Sequence, residues 1–82
     1  MNPLRQLNIG HLEQLRQKIK TLEAQAAGQA LIIEMKTSSM KHNLAKLDID
    51  TIYQAAKDLH TSITHLREAK ELADELNAEL YD

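Results

Sequence analysis

The chain has 82 residues, with ten Lys and Arg against twelve Asp and Glu, for a net charge of −2. It contains no Cys, which excludes disulfides, thiolate metal sites and cysteine nucleophiles. It also contains no Phe or Trp. Any core must be built from Leu, Ile, Ala and Met, which favours closely packed helices over a sheet. This length is close to the lower limit at which a domain folds without a partner.

The first helix is predicted to begin at Pro3, because Asn2 is a good N-cap and Pro suits the first helical position. Apolar residues then recur every three or four positions, which predicts one helix over about 3–46. A break near 8–10, at Asn8-Ile9-Gly10, is an open alternative. Two successive four-residue steps, from Leu22 to Ala30, predict a local change in supercoiling. The apolar stripe comprises Leu12, Leu15, Ile19, Leu22, Ala26, Ala30, Ile33, Met40, Leu44 and Leu47.

The turn is predicted at about 47–50, where Asp48 or Asp50 can accept hydrogen bonds from the first N–H groups of a new helix. A second helix is predicted over about 51–80. Its apolar stripe comprises Ile52, Ala56, Leu59, Ile63, Leu66, Ala69, Ala73, Leu76 and Leu80. Two long helices joined by a short turn predict an all-α fold: one coiled-coil-like antiparallel hairpin over residues 1–82.

Charge divides unevenly between the two helices. Residues 1–46 carry a net charge of +4, and residues 47–82 carry a net charge of −6. A fold about residue 49 pairs positions whose numbers add to roughly 98, which places Ile33 near Leu66. The same register places Arg16, Lys18 and Lys20 beside the acidic end of the second helix, so we expect the charges to favour the antiparallel orientation.

In this register, residues 1–15 extend past the end of the second helix with apolar side chains uncovered. Gly28 falls on the opposite side of the first helix from the stripe, and we predict that the helix continues through it. Both features predict a second contact, and hence a homodimer that forms a four-helix bundle. The expected contacts are Leu4, Leu7, Leu12, Leu15, Ala24, Gly28, Leu31 and Met35.

No catalytic, cofactor or metal site is predicted. The histidines are His11, His42, His60 and His65, and none has the helical spacing of a metal-binding pair. Thr37, Ser38 and Ser39 are interpreted as a solvent-facing part of the helix. The longest apolar run, residues 30–33, is too short to cross a membrane, so we expect a cytoplasmic protein without membrane binding.

The leading hypothesis is a non-enzymatic interaction module, an adaptor, regulator or small chaperone that acts as a homodimer. One alternative is an obligate small subunit or co-chaperone of a different protein, which resembles by architecture alone the helical-hairpin co-chaperones of bacterial secretion systems. Another is weak, non-specific binding of nucleic acid by the basic first helix. The acidic second helix and the lack of aromatic residues among the bases count against nucleic acid.

Overall fold

A computed structural model describes residues 3–81, with side chains from Arg5 to Tyr81. Helix α1 spans Pro3–Ser39, a single turn of 3₁₀ helix spans Leu44–Lys46, and helix α2 spans Ile49–Tyr81. The two helices pack against each other along their length as an antiparallel hairpin measuring 64 × 18 × 14 Å. The predicted all-α hairpin is therefore confirmed. The predicted N-cap, Asn2, lies outside the described residues.

Helix α1 runs without interruption through both of its glycines. Gly10 and Gly28 have ordinary helical backbone, since no glycine in the described chain has a positive φ. The alternative break near 8–10 is therefore wrong. The predicted continuity at Gly28 is confirmed.

Helix α1 ends at Ser39, about seven residues before the predicted end at 46. The Thr37 hydroxyl donates to the carbonyl of Ile33 at 2.8 Å, and the Ser39 hydroxyl donates to the carbonyl of Lys36 at 3.3 Å. Hydroxyl groups that bond the local backbone compete with helix propagation, and Thr, Ser and Asn have low helix propensity. Three such residues in succession, Thr37, Ser38 and Ser39, therefore weaken the helix where apolar spacing alone would continue it.

The N-terminus of α2 is capped by Asp48, one of the two predicted candidates. The backbone N–H of Thr51 donates to Asp48 Oδ1 at 3.2 Å, and Lys36 Nζ lies 3.7 Å from Asp48 Oδ2. The hydrogen bonds from Thr51, with a smaller contribution from the charge of Lys36, lower the pKa of the Asp48 carboxyl below its ordinary value. Helix α2 begins and ends within about two residues of the prediction.

The core is a single seam between the helices. On each helix, the residues that form the seam recur in alternating steps of three and four. On α1 the buried and half-buried seam positions are Leu12, Leu15, Ile19, Leu22, Ala26, Gln29 and Ile33. On α2 they are Ile52, Ala55, Leu59, Ser62, Leu66, Ala69, Ala73, Leu76 and Leu80. The predicted phase change is wrong, because Gln29 rather than Ala30 continues the seam and Ala30 is exposed.

The observed register also differs from the prediction. Gln29 bonds Ser62 across the seam, so paired positions add to about 91 rather than 98. This shift of one heptad follows from the early end of α1, which moves the centre of the turn toward the N-terminus. As a result, α2 reaches further along α1 than predicted.

The longer overlap covers part of the segment that the sequence left unpaired. Leu12 and Leu15 are 2% and 7% exposed and belong to the seam. Arg5 Nη2 donates to the carbonyl of Leu80 at 3.2 Å, near the C-terminus of α2 where a cation is favourable. The predicted overhang of residues 1–15 is therefore wrong at Leu12 and Leu15, and the reason for placing these two leucines in a dimer contact no longer holds.

Candidate interaction surface

Helix α1 has a second continuous surface on the side away from α2, which we call the outward face. Its residues follow the same spacing of three and four as the seam, and they span 25 positions of the helix. None of the residues on this face is charged. Its members, all exposed, are Gln14, Gln17, Thr21, Ala24, Gly28, Leu31, Met35 and Ser38. The predicted contact residues Ala24, Gly28, Leu31 and Met35 thus share one face.

Large apolar side chains concentrate at the C-terminal half of the outward face. Leu31 and Met35 are 52% and 61% exposed, and Ile32 lies at the edge of the face beside them at 43%. Single exposed apolar residues are common, but adjacent ones without intervening charge are typical of contact surfaces. Leu7 is also exposed, further toward the N-terminus. The side chain of Leu4 lies outside the described residues.

Gly28 lies at the middle of the outward face. No heavy atom lies within 4 Å of the position that a Cβ would occupy there, apart from the helix's own neighbouring backbone. The missing side chain therefore leaves a depression that faces solvent in the single chain. Another helix could approach the backbone closely at this point.

The corresponding surface of α2 is different in character. Its outward positions are Gln54, Lys57, Thr61, Thr64, Glu68, Glu71, Glu75 and Ala78, all of them exposed. Four of these eight residues are charged, whereas none on the outward face of α1 is. The surface of α2 is therefore well suited to solvent, and only α1 presents an uncharged face.

Charged side chains pair differently from the prediction. Among the described residues, the ion pair between α1 and α2 joins Lys70 and Glu23 at 3.9 Å. The basic residue of this pair lies on α2 and the acidic residue on α1, the reverse of the predicted arrangement. Arg16 instead bonds Glu13 of its own helix at 2.8 Å. Within the described chain, neither Lys20 nor Glu34, which flank the outward face, belongs to an ion pair.

A polar layer lies near the middle of the seam, which sequence reasoning missed. Ser62 is 5% exposed, and its hydroxyl donates to Gln29 Oε1 at 3.0 Å. The predicted stripes contain the apolar neighbours Ala30 and Ile63 in place of Gln29 and Ser62. A strict alternation of steps of three and four residues along each helix would have predicted Gln29 and Ser62 as seam positions. An open groove of about 240 Å³ borders the layer and is lined by Gln29, Ile32, Thr51, Gln54, Ala55 and Asp58.

The end of the hairpin near the turn carries exposed apolar side chains of its own, and we call it the hairpin tip. It comprises Met40, Leu44, Ile49 and Tyr53. Lys57 Nζ lies 5.7 Å from the centre of the Tyr53 ring, within the range of a cation–π contact. The hairpin tip is separate from the outward face, so the molecule has two candidate contact surfaces.

The described residues include no group of three or more His, Asp and Glu side chains that could hold a metal ion. All four histidines are exposed. Of the basic residues on α1, Arg16 and Lys36 are already paired with carboxylates of the same chain. Such pairing reduces the charge available to phosphate groups.

Comparison of the chain with known proteins finds no matching family model, no matching curated protein and no matching solved structure. Neither long helix, within the part of the chain described, is apolar enough over a sufficient length to cross a membrane.

Proposed function

We propose that the protein is a non-enzymatic protein–protein interaction module that acts as a homodimer through the outward face of α1. The observation that supports this proposal is the adjacency of the exposed Leu31 and Met35 on a helix face without charged residues, with Ile32 exposed at its edge. In water these side chains leave apolar surface exposed, and burial of such surface drives association.

The size of the hairpin supports the same proposal. Two helices form a single layer with one seam, and the seam buries only a few large side chains, chiefly Leu12, Leu15 and Leu22. Small chains with little core commonly gain stability by association. A second hairpin packed on the outward face would give α1 a second neighbouring helix and a second buried contact.

Solution mass as a function of concentration tests this function. We expect light scattering coupled to size exclusion to approach twice the chain mass of 9.3 kDa as the concentration rises through the micromolar range. Thermal stability should rise with concentration over the same range, because association stabilises the folded chain by mass action. A mass of one chain at every concentration would rule out the homodimer.

A second candidate function is binding of a different protein at the hairpin tip, as an obligate subunit or co-chaperone. The specific observation is that Leu44, Ile49 and Tyr53 are each about two-thirds exposed. The hairpin tip shares no residue with the outward face, so each surface can be changed without changing the other. Co-purification of the wild-type chain and of Ile49→Asp separates the two functions.

If a specific partner binds at the tip, Ile49→Asp loses it while the solution mass of the purified chain stays the same. A sharp thermal transition of the purified chain alone would count against an obligate partner. Loss of the same partner from a variant in the outward face would contradict the tip as its binding site.

A further inference from the structure

We infer that two copies of the chain pair antiparallel through their outward faces, with Gly28 crossing Gly28 of the partner subunit. The inference rests on the homodimer proposed above and adds its geometry. A twofold axis at Gly28 brings the same surface of both copies together, as an isologous interface requires. The missing side chains at the crossing point let the two backbones approach.

The antiparallel arrangement matches large side chains with small ones. Steps of three and four residues from Gly28 place Leu31 opposite the partner's Ala24, and Met35 opposite the partner's Thr21. Alternation of large and small residues across facing positions is what allows helices to interdigitate. Each match occurs twice because of the twofold symmetry.

Charge complementarity supports this orientation independently. Lys20 directly precedes Thr21, and Glu34 directly precedes Met35, so both lie on the same flank of the outward face. With Thr21 opposite Met35, Lys20 lies beside the partner's Glu34, twice in the dimer. Neither side chain belongs to an ion pair among the described residues of the single chain.

A parallel pairing lacks this complementarity. In a parallel pair of helices, a residue that flanks the contact lies beside the residue about five positions further along the partner helix. Lys20 would then lie beside the partner's Gln25, and Glu34 beside the partner's Ser39. The two unpaired charges would stay unpaired.

The geometry also predicts the shape of the assembly. The outward face lies on the far side of α1 from α2, so the two α1 helices would be central and the two α2 helices outermost. The dimer would be a flat row of four helices rather than a bundle around a common interior. The charged surface of α2 would then face solvent in both copies, in agreement with its composition.

Charge reversal tests the pairing of Lys20 with Glu34. Each single variant, Lys20→Glu or Glu34→Lys, replaces two attractive pairs by two repulsive ones, and we expect the dissociation constant to rise roughly tenfold. The double variant restores both pairs and should dimerise within about threefold of the wild type. An equimolar mixture of the two single variants should form heterodimers in preference to either homodimer. A double variant as weak as the combined effects of the singles would overturn the pairing.

Disulfide trapping tests the orientation directly, because the chain has no cysteine of its own. We expect a mixture of Ala24→Cys and Leu31→Cys chains to oxidise to a linked heterodimer, while each variant alone stays unlinked. A dimer in which Ala24→Cys links to itself is parallel and would overturn this inference alone. A one-chain mass for the wild type would instead remove the homodimer on which the inference rests.

Discussion

Helices α1 and α2 are similar in length, 37 and 33 residues, and they share one seam. The surfaces that lie away from the seam differ in composition between the two helices. On α2 the apolar side chains concentrate on the seam, and the outward positions are half charged. On α1 they spread around the helix, so that a second uncharged face appears opposite the first. A helix that is apolar on two sides is typical of one packed between two neighbours.

The largest expected effect distinguishes the two faces of α1. Leu12→Ala removes a side chain that is 2% exposed, and we expect the free energy of unfolding to fall by about 2–5 kcal/mol. Leu31→Ala on the outward face should change it by less than about 0.5 kcal/mol at concentrations where the chain is monomeric. Urea denaturation at low micromolar concentration measures both.

Equal losses from these two variants would contradict the assignment of separate seam and outward surfaces. A loss for Leu31→Ala that appears only as the concentration rises would instead identify its contact as intermolecular.

A matched pair of charge insertions compares α1 with α2. Leu31 and Leu72 are the same residue type with nearly equal exposure, 52% and 50%, but they lie on different helices. We expect Leu31→Glu to weaken dimerisation more than tenfold, because it places a carboxylate in the uncharged face of both copies. Leu72→Glu should leave the dissociation constant within about twofold.

Sedimentation equilibrium of both variants and of the wild type provides the measurement. If Leu72→Glu associates more weakly than Leu31→Glu, the dimer contact lies on α2 and not on α1. Circular dichroism should show the same helix content for all three chains.

The two glycines of α1 form a second matched pair. Both are helical, and both have open space where a side chain would stand. Gly10→Leu and Gly28→Leu should each stabilise the isolated chain by up to about 1 kcal/mol, since Gly is a poor helix former. Only Gly28→Leu should also weaken association, because it fills the depression at the middle of the outward face.

Thermal unfolding at low concentration measures the gain in stability, and light scattering measures association. Gly10→Leu is the control for any general effect of the added side chain. If Gly28→Leu dimerises as well as the wild type, the depression is not where a partner approaches.

The smallest expected effect concerns the start of α2 and its dependence on pH. Because the pKa of Asp48 is lower in the folded chain than its ordinary value of 3.8, ionised Asp48 contributes stability above that value. The contribution is lost as the pH falls through the folded pKa. Asp48→Asn keeps an N-cap side chain but removes the charge, so it serves as the control.

We expect the difference in unfolding free energy between the wild type and Asp48→Asn to be constant near neutral pH and to shrink below about pH 4. Urea denaturation at several pH values follows that difference. A difference that grows as the pH falls would contradict the lowered pKa. Salt should reduce the part that comes from Lys36.

Much of this fold could be predicted from residue spacing. Long apolar periodicity indicated both helices and their antiparallel pairing, and the cap chemistry of Asp48 located the start of α2 within two residues. The end of α1 could not be located in this way, because apolar residues such as Met40 and Leu44 continue at helical spacing past it. The boundary instead follows the succession of Thr37, Ser38 and Ser39, whose low helix propensity apolar spacing does not register.

The candidate surface was predicted in part. Gly28 and its neighbours were placed away from the seam correctly, because a helical wheel depends only on the continuity of the helix. Leu12 and Leu15 were misplaced because the error at the end of α1 carried through the register to the far end of the hairpin. Ala24, Leu31 and Met35 remain predicted contacts.

The bond between Ser62 and Gln29 has a consequence for how the hairpin avoids misalignment. If α2 slid along α1 by one heptad, Leu, Ile and Ala would still meet Leu, Ile and Ala along the middle of the seam, and only Leu12 and Leu15 at its end would lose their apolar partners. In the slipped alignment Gln29 would face Ala69, and Ser62 would lose its acceptor. Leaving a buried polar group without its partner costs about 1–3 kcal/mol, enough to favour one alignment by roughly tenfold or more. The polar contact in the middle of the rod thus acts together with the burial of Leu12 and Leu15 at its end to select the alignment, in the way that one polar residue sets the register of a coiled coil.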